Sequence, residues 1–265
     1  MGFRGPEPER FPDRPILFLG DSFTECYCVD DGEEFPELVR NSLEKRFGKK
    51  RITVVNAAIE NTGNAHWVKF LEKEGKRFNP RLVVLQFMDN DFSDNVREHF
   101  FTLSPSGNLV ELPVPPPSFA RRIQKVIELI PFISYSYVIG FANQRFYSLA
   151  TFLNTARMRE NISTDIENDF KERLTFRLWE EVLKICNQNN WPVFAVMVNI
   201  NGKRLTGLEA ILKQYNVEAI KVPEKNERRD LYYRADWHWN SFGHAFVADL
   251  IVQHLTASKQ SYLFK

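Results

Sequence analysis

Three short polar segments in this chain hold residue types that can do nucleophilic chemistry. They are Gly20-Asp21-Ser22-Phe23-Thr24, Met88-Asp89-Asn90-Asp91 and Ala235-Asp236-Trp237-His238-Trp239-Asn240. Together they supply a hydroxyl, an amide, and a carboxylate two residues from an imidazole. A serine hydroxyl is a weak nucleophile until an adjacent base takes its proton, and an imidazole suits that work near neutral pH. In such an arrangement Ser22 attacks an acyl carbon, His238 takes the hydroxyl proton, and Asp236 orients the ring and stabilises its cation. Backbone N–H groups and the Asn90 amide hold the developing oxyanion. This is the inventory of acyl transfer.

Each segment also has a plainer reading. Gly20-Asp21-Ser22 is equally a strand-to-helix turn with a capping serine. Asn90 in isolation reads as a cap for the turn after its strand. A histidine between two tryptophans is commonly a packed one. Trp237 and Trp239 either wall a sugar or acyl site or anchor their loop. Cys26 and Cys28 read as small residues packing beside the first helix, or as a redox switch or alternative thiol nucleophile. Their i, i+2 spacing is poor for a mutual disulfide.

The elements that must position these residues alternate along the chain. Pro15-Ile-Leu-Phe-Leu-Gly20 is a short apolar run of the kind that forms a strand buried on both faces. Further β-rich runs fall at Ile52–Asn56, Leu82–Phe87, Pro192–Val198 and Val217–Val222. Helical periodicity fills the gaps at about 35–48, 64–78, 164–189, 205–215 and 241–255. Strands alternating with helices imply a parallel sheet with right-handed crossovers. The expected fold is α/β: a three-layer, doubly wound, parallel five-stranded sheet whose ligands sit beyond the C-terminal strand ends. The three polar segments follow the first, third and fifth strands, which places them at that edge. One domain is expected over 1–265, with a linker-like start at 1–14 and an insertion at 92–161. The insertion holds Pro105, Pro113, Pro115, Pro116 and Pro117 and is rich in aromatic residues, including Phe119, Phe132, Tyr135, Tyr137, Phe141 and Phe152. It leaves the third strand beside Asn90, so it is expected to cap the site.

Composition removes other function classes. Thirty-five Lys and Arg face 34 Asp and Glu, a net charge of +1 with no basic cluster, which argues against a nucleic-acid partner. No CxxC pair, zinc spacing, GxGxxG or GxxxxGK[ST] pattern occurs, and Asp89, Asp91, Asp94 and Asn95 do not fit a calcium loop. No metal and no cofactor is expected. The longest apolar stretch, Val126 to Ala142, is broken by Glu128 and Pro131, so no membrane span is expected, although shallow contact with lipid stays open. The segment carrying Pro6, Pro8, Pro12 and Pro15 reads as a linker. It suggests the extracytoplasmic part of a longer, anchored bacterial protein.

The combination and order of these segments resemble the SGNH (GDSL) hydrolase superfamily. Ile16-Leu-Phe-Leu-Gly-Asp-Ser-Phe-Thr-Glu25 is similar to its first block, Val54-Val-Asn-Ala-Ala-Ile59 to its second, Met88-Asp-Asn-Asp91 to its third and Asp236-Trp-His238 to its last. The resemblance implies a flavodoxin-like sheet and cofactor-independent ester or acetyl hydrolysis by Ser22, His238 and Asp236 through an acyl-enzyme. It further implies an oxyanion hole from Ser22, Asn61 and Asn90. Asn61 stands where the family usually has glycine, with Gly63 as the alternative. Met88 also replaces a common glycine, and the usual Asp-x-x-His is shortened to Asp236-Trp-His238. A similar Asp-x-His-Trp-Asn string occurs in relatives that process polysaccharide acetyl groups. Asp21, Trp237 and Trp239 are candidate substrate-binding residues, and the expected substrate is a small or carbohydrate ester. The alternatives are an O-acyltransferase using the same triad on a sugar hydroxyl, and a non-catalytic carbohydrate-binding domain.

Overall fold

The computed structural model describes residues 3–5, 14–48, 52–113 and 164–257. The chain divides into two compact units, one formed by 1–111 with 171–265 and the other by 112–170. Of the second unit, only 112–113 and 164–170 are among the described residues.

The first unit is built on a parallel sheet of β1 (Ile16–Leu19), β2 (Val54–Asn56), β3 (Leu82–Met88), β6 (Val193–Val198) and β7 (Glu218–Val222), in the order β2-β1-β3-β6-β7. A separate antiparallel hairpin, β4 (Phe101–Leu103) with β5 (Leu109–Glu111), lies between β3 and β6 in the chain. The helices are α1 (Ser22–Glu25), α2 (Phe35–Phe47), α3 (Asn64–Phe70), α4 (Lys76–Phe78), α5 (Asp91–Glu98), α6 (Thr164–Gln188), α7 (Gly202–Gln214) and α8 (Ser241–Ala257).

The central strands are apolar on both faces because both faces are covered. Side chains alternate across a strand, so Ile16, Phe18, Leu82, Val84, Phe194 and Val196 form one cluster with Phe35, Val39 and Leu43 of α2 and Val247 and Ile251 of α8. On the opposite face Phe87 meets Trp67 of α3, Phe92 of α5 and Trp179 of α6, with ring centroids 5.4–6.1 Å apart. Local signals agree with this packing. Helix α2 has Pro36 in its first turn, Lys45 and Arg46 in its last, and Gly48 at positive φ as its cap.

One expectation needs correction. The helix expected over 64–78 is interrupted by a π-turn at Leu71–Gly75. Within the span 92–161, read as an insertion with some helix, α5 carries a helix at its start and Phe92 is wholly buried. The hairpin β4–β5 follows, and residues 114–163, with most of the aromatic side chains assigned to a cap, lie outside the described residues. Part of the linker-like start also packs on the body. Phe3 touches the rings of Phe70 and Phe78, and Arg4 donates to the carbonyls of Glu25, Cys26 and Val29.

Strand β1 connects outward to β2, whereas β3 continues to β6 on its other side. The chain direction therefore switches between β1 and β3, which are neighbours in parallel register from Ile16↔Leu82 to Leu19↔Leu85. A switch of this kind opens a crevice at the C-terminal strand ends.

Candidate active site

The turn leaving β1 is held from below by Gln86, one residue past the last β1–β3 pair. Its Oε1 accepts from the Asp21 N–H at 3.2 Å and from the Thr24 hydroxyl at 2.8 Å. Asn56 at the end of β2 donates to the Thr24 carbonyl at 2.7 Å. Asp21 then caps α1 by accepting from the Phe23 N–H at 2.9 Å. Ser22 is the first residue of that helix and stands at the rim, half-buried.

The imidazole comes from the loop before α8. His238 Nε2 lies 2.8 Å from Ser22 Oγ, and His238 Nδ1 lies 2.6 Å from Asp236 Oδ1. The Asp236 oxygen also accepts from the His238 backbone N–H at 3.0 Å. A carboxylate can only accept, so the ring satisfies both neighbours with its proton on Nδ1 and its lone pair on Nε2 facing the hydroxyl. Burial pushes the Asp236 carboxyl up, but the hydrogen bonds from the His238 backbone and ring outweigh it and hold the group below its ordinary range. Asp236 therefore stays ionised beside the ring.

What places the loop is aromatic packing. Trp239 is fully buried, edge-on to Phe23 at 4.8 Å and to Phe35 at 5.9 Å. The Phe23 ring also lies 4.9 Å from the His238 ring. Each of the two candidate residues thus carries its anchor as its chain neighbour: Phe23 follows Ser22, and Trp239 follows His238. Backbone bonds from Tyr233 to His238 and from Asn240 to Leu231, both 3.0 Å, close the hairpin.

The candidate oxyanion donors are brought to the same edge. Asn90 follows β3 and is exposed. Its Nδ2 donates to Asp94 Oδ2 at 2.9 Å, which uses one of its two amide hydrogens. Asn61 adopts φ 55, in the left-handed region that asparagine tolerates. Its carbonyl accepts from Arg97 at 2.5 Å, while its N–H has no partner among the described residues. The Gly63 N–H is instead committed to Glu98 Oε1 at 3.1 Å, so the alternative donor is withdrawn.

Two candidate substrate contacts are corrected. Asp21 is fully buried, and one of its oxygens is occupied by the cap it forms, so it supports the turn from beneath. Trp239 belongs to the core. Trp237 remains at the rim, 64% exposed, with the Lys225 ammonium 5.2 Å from its ring centroid. Cys26 is buried, caps α1 at positive φ, and contacts the Phe23 and Thr24 carbonyls at 2.9 Å. Burial raises both the Cys26 and the Cys28 thiols, so neither is the thiolate that an alternative nucleophile requires.

Several contributors are invisible to pattern reading. Asp91, Asp94, Asn95 and Glu98 recur at the spacing of one helical face, and that polar face of α5 points inward. Asn95 bonds Asn64, Thr175 and the Ala65 N–H, which stitches α3, α5 and α6 together. Arg204 grips Asp89, the residue before Asn90, with two contacts of 2.9 Å, and also binds Glu172 at 3.1 Å.

Burial raises the Asp21 carboxyl to about 6 and Glu98 to about 8, and lifts Asp91 well above its usual range with the Asp21 charge adding to the effect. Such groups hold more protons folded than unfolded. Their stabilisation is complete below the unfolded values, about 3.9 for an aspartate and about 4.3 for a glutamate, and is lost as pH rises through the folded ones. Stability is thus expected to decline from about pH 4 to about 8. Glu98→Gln cannot ionise and is expected to melt roughly 2–4 °C above the parent at about pH 9, for about 1 kcal/mol regained. Thermal unfolding at several pH values checks this; a variant melting below the parent throughout would contradict it.

Similarity to known proteins follows the same outline. One solved structure resembling this one is a two-domain esterase (CEX) active on acetylated mannans, co-crystallised with mannopentaose. It is 17% identical, with a TM-score of 0.52 over 91% of this chain and 48% of that one. The chain therefore spans about half the length of that esterase. An acetyl xylan esterase, AlAXEase, is 12% identical, with a TM-score of 0.51 over 91% of this chain and 99% of that one. These likenesses establish a shared fold. No curated protein matches the sequence. The family described as GDSL-like Lipase/Acylhydrolase matches residues 16–251, a span that runs from the strand before Ser22 to beyond His238, and the chain belongs to this family of ester hydrolases.

Proposed function

We propose that the protein removes a short acyl or O-acetyl group from an alcohol through a Ser22–His238–Asp236 triad and an acyl-enzyme intermediate. The observation that carries this is the continuous run of contacts from Ser22 Oγ to His238 Nε2 at 2.8 Å and from His238 Nδ1 to Asp236 Oδ1 at 2.6 Å. As Ser22 attacks the ester carbon, its proton passes to Nε2, and Asp236 stabilises the imidazolium. The Ser22 and Asn61 N–H groups and the remaining Asn90 amide hydrogen receive the oxyanion. His238 then protonates the leaving alcohol and, in the second half-reaction, deprotonates the water that releases the acid.

A carbohydrate ester fits best as substrate. The site opens at the sheet edge beside the exposed Trp237, and a tryptophan face is a common platform for a sugar ring. Esterases sharing this fold act on acetylated mannans and acetyl xylan, which supports the same class here.

A serine-reactive fluorophosphonate is expected to label the protein and to leave Ser22→Ala unlabelled; labelling of that variant would overturn the nucleophile. A series of nitrophenyl esters beside acetylated oligosaccharides then ranks the acyl group and the alcohol. Appearance of acylated sugar instead of free acid would identify a transferase. Trp237→Ala is expected to raise KM for an acetylated oligosaccharide by about fivefold to twentyfold, for about 1–2 kcal/mol of lost stacking, with little effect on nitrophenyl acetate. Equal effects on both substrates would place the ring outside the sugar site.

A further inference from the structure

Cys28 has no part in the acyl chemistry, yet it stands beside it. Cys28 Sγ, a carboxylate oxygen of Asp236 and a ring nitrogen of His238 all lie within 4.8 Å of one another. The proximity is held by more than one contact. The Tyr233 hydroxyl donates to the Cys28 carbonyl, and the Tyr233 N–H donates to the His238 carbonyl at 3.0 Å, so the cysteine loop and the histidine hairpin are tied together. The cluster is reachable from solvent, with Cys28 half-buried and the Asp236 side chain 49% exposed.

We propose that Cys28, Asp236 and His238 form a binding site for a thiophilic divalent cation such as Zn²⁺, whose occupancy switches the hydrolase off. Sulfur, nitrogen and oxygen are the donors zinc accepts, at about 2.3, 2.0–2.1 and 2.0–2.2 Å in a tetrahedron. Ligand atoms of such a tetrahedron stand roughly 3.3–3.8 Å apart, so closing this cluster on an ion takes side-chain shifts of about 1 Å. Water fills the fourth position. The thiol loses its proton on binding. Coordination at Nδ1 displaces the ring proton to Nε2, which becomes a donor; coordination at Nε2 takes the lone pair itself. In either case no base faces Ser22. Hard, oxygen-seeking ions such as Mg²⁺ gain nothing from the thiol.

The inhibition, though not the binding, rests on His238 serving as the base. The two are separated by titrating Co²⁺ into Ser22→Ala, which retains all three ligands and needs no turnover. A sulfur-to-cobalt charge-transfer band is expected there, competed away by Zn²⁺ and absent after alkylation of the Cys28 thiol or in Cys28→Ser. Absence of that band in folded Ser22→Ala overturns the site. In the parent, Zn²⁺ is expected to suppress ester hydrolysis at least about tenfold, with recovery on adding a chelator and no response to Mg²⁺. The zinc concentration for half-inhibition should rise at least about tenfold in both Cys28→Ser and Cys28→Ala. Equal zinc sensitivity of parent and both variants would overturn the proposal. A cobalt band in a protein that hydrolyses no ester would uphold the binding site and reject the triad reading instead.

Discussion

Ser22→Ala and His238→Ala are each expected to lower kcat by roughly 10⁴–10⁶-fold, and the double variant to be no worse than either alone. The reason lies in the geometry. In the proposed mechanism Ser22 Oγ is activated through a single 2.8 Å contact to His238, so removing either partner removes the same step. What survives is the contribution of the oxyanion donors and of substrate binding, which does not depend on the pair. Asp236→Asn is expected to cost about 10³–10⁴-fold. Asp236 Oδ1 accepts from both the backbone and the ring of His238, and an amide oriented by the first can present the wrong group to the second. Steady-state kinetics on a nitrophenyl ester, with circular dichroism to verify folding, provides the measurement. A His238→Ala protein within tenfold of the parent would remove the histidine from the mechanism, and losses that multiply in the double variant would show that the two act independently.

Gly20→Ala is expected to impair stability and rate together. A methyl group there would stand 2.3 Å from Thr24 Oγ1 and 2.6 Å from Gln86 Oε1. Neither neighbour is free to retreat. Thr24 is wholly buried, bonded to Gln86 through its hydroxyl and to Asn56 through its carbonyl, and Gln86 lies on the central strand β3. Overpacking of this kind costs about 1–3 kcal/mol. The strain falls on the turn two residues before Ser22, the proposed nucleophile, where a displacement of about 1 Å reduces catalysis on the order of 10²-fold. The expected result is a melting temperature several degrees lower and kcat reduced by about 100-fold, with KM changed much less. Thr24→Ala in the same chain removes the nearest obstructing atom and should recover part of the lost stability, because the two sites are in contact. A Gly20→Ala protein with parental stability and rate would show that the turn has slack the packing does not indicate.

The parallel sheet was legible because its strands are covered on both faces. Runs such as Ile16–Leu19 and Leu82–Leu85 are continuously apolar for that reason, and polar segments follow them where the chain must turn. Ser22 and the Asp236/His238 pair could be singled out by residue type and order, and the structure places them in mutual contact across 216 positions of sequence. The apolar-inside rule gave no access to α5, whose Asp91, Asp94, Asn95 and Glu98 face inward. Their burial is tolerated only because partners on other elements, such as the Met88 and Gly63 N–H groups, Asn64 and Thr175, arrive to receive them. Nor could it separate two tryptophans of identical type, one residue either side of His238. Trp239 is buried because Phe23 and Phe35 converge on it, whereas Trp237 is left at the rim with the Lys225 ammonium beside its ring. The same holds for Arg204 on Asp89 and for Cys28 beside His238. Periodicity along a chain reports how each element presents its own faces. Which distant side chains meet is decided by strand order and by the packing of loops over it, and those are properties of the assembled fold.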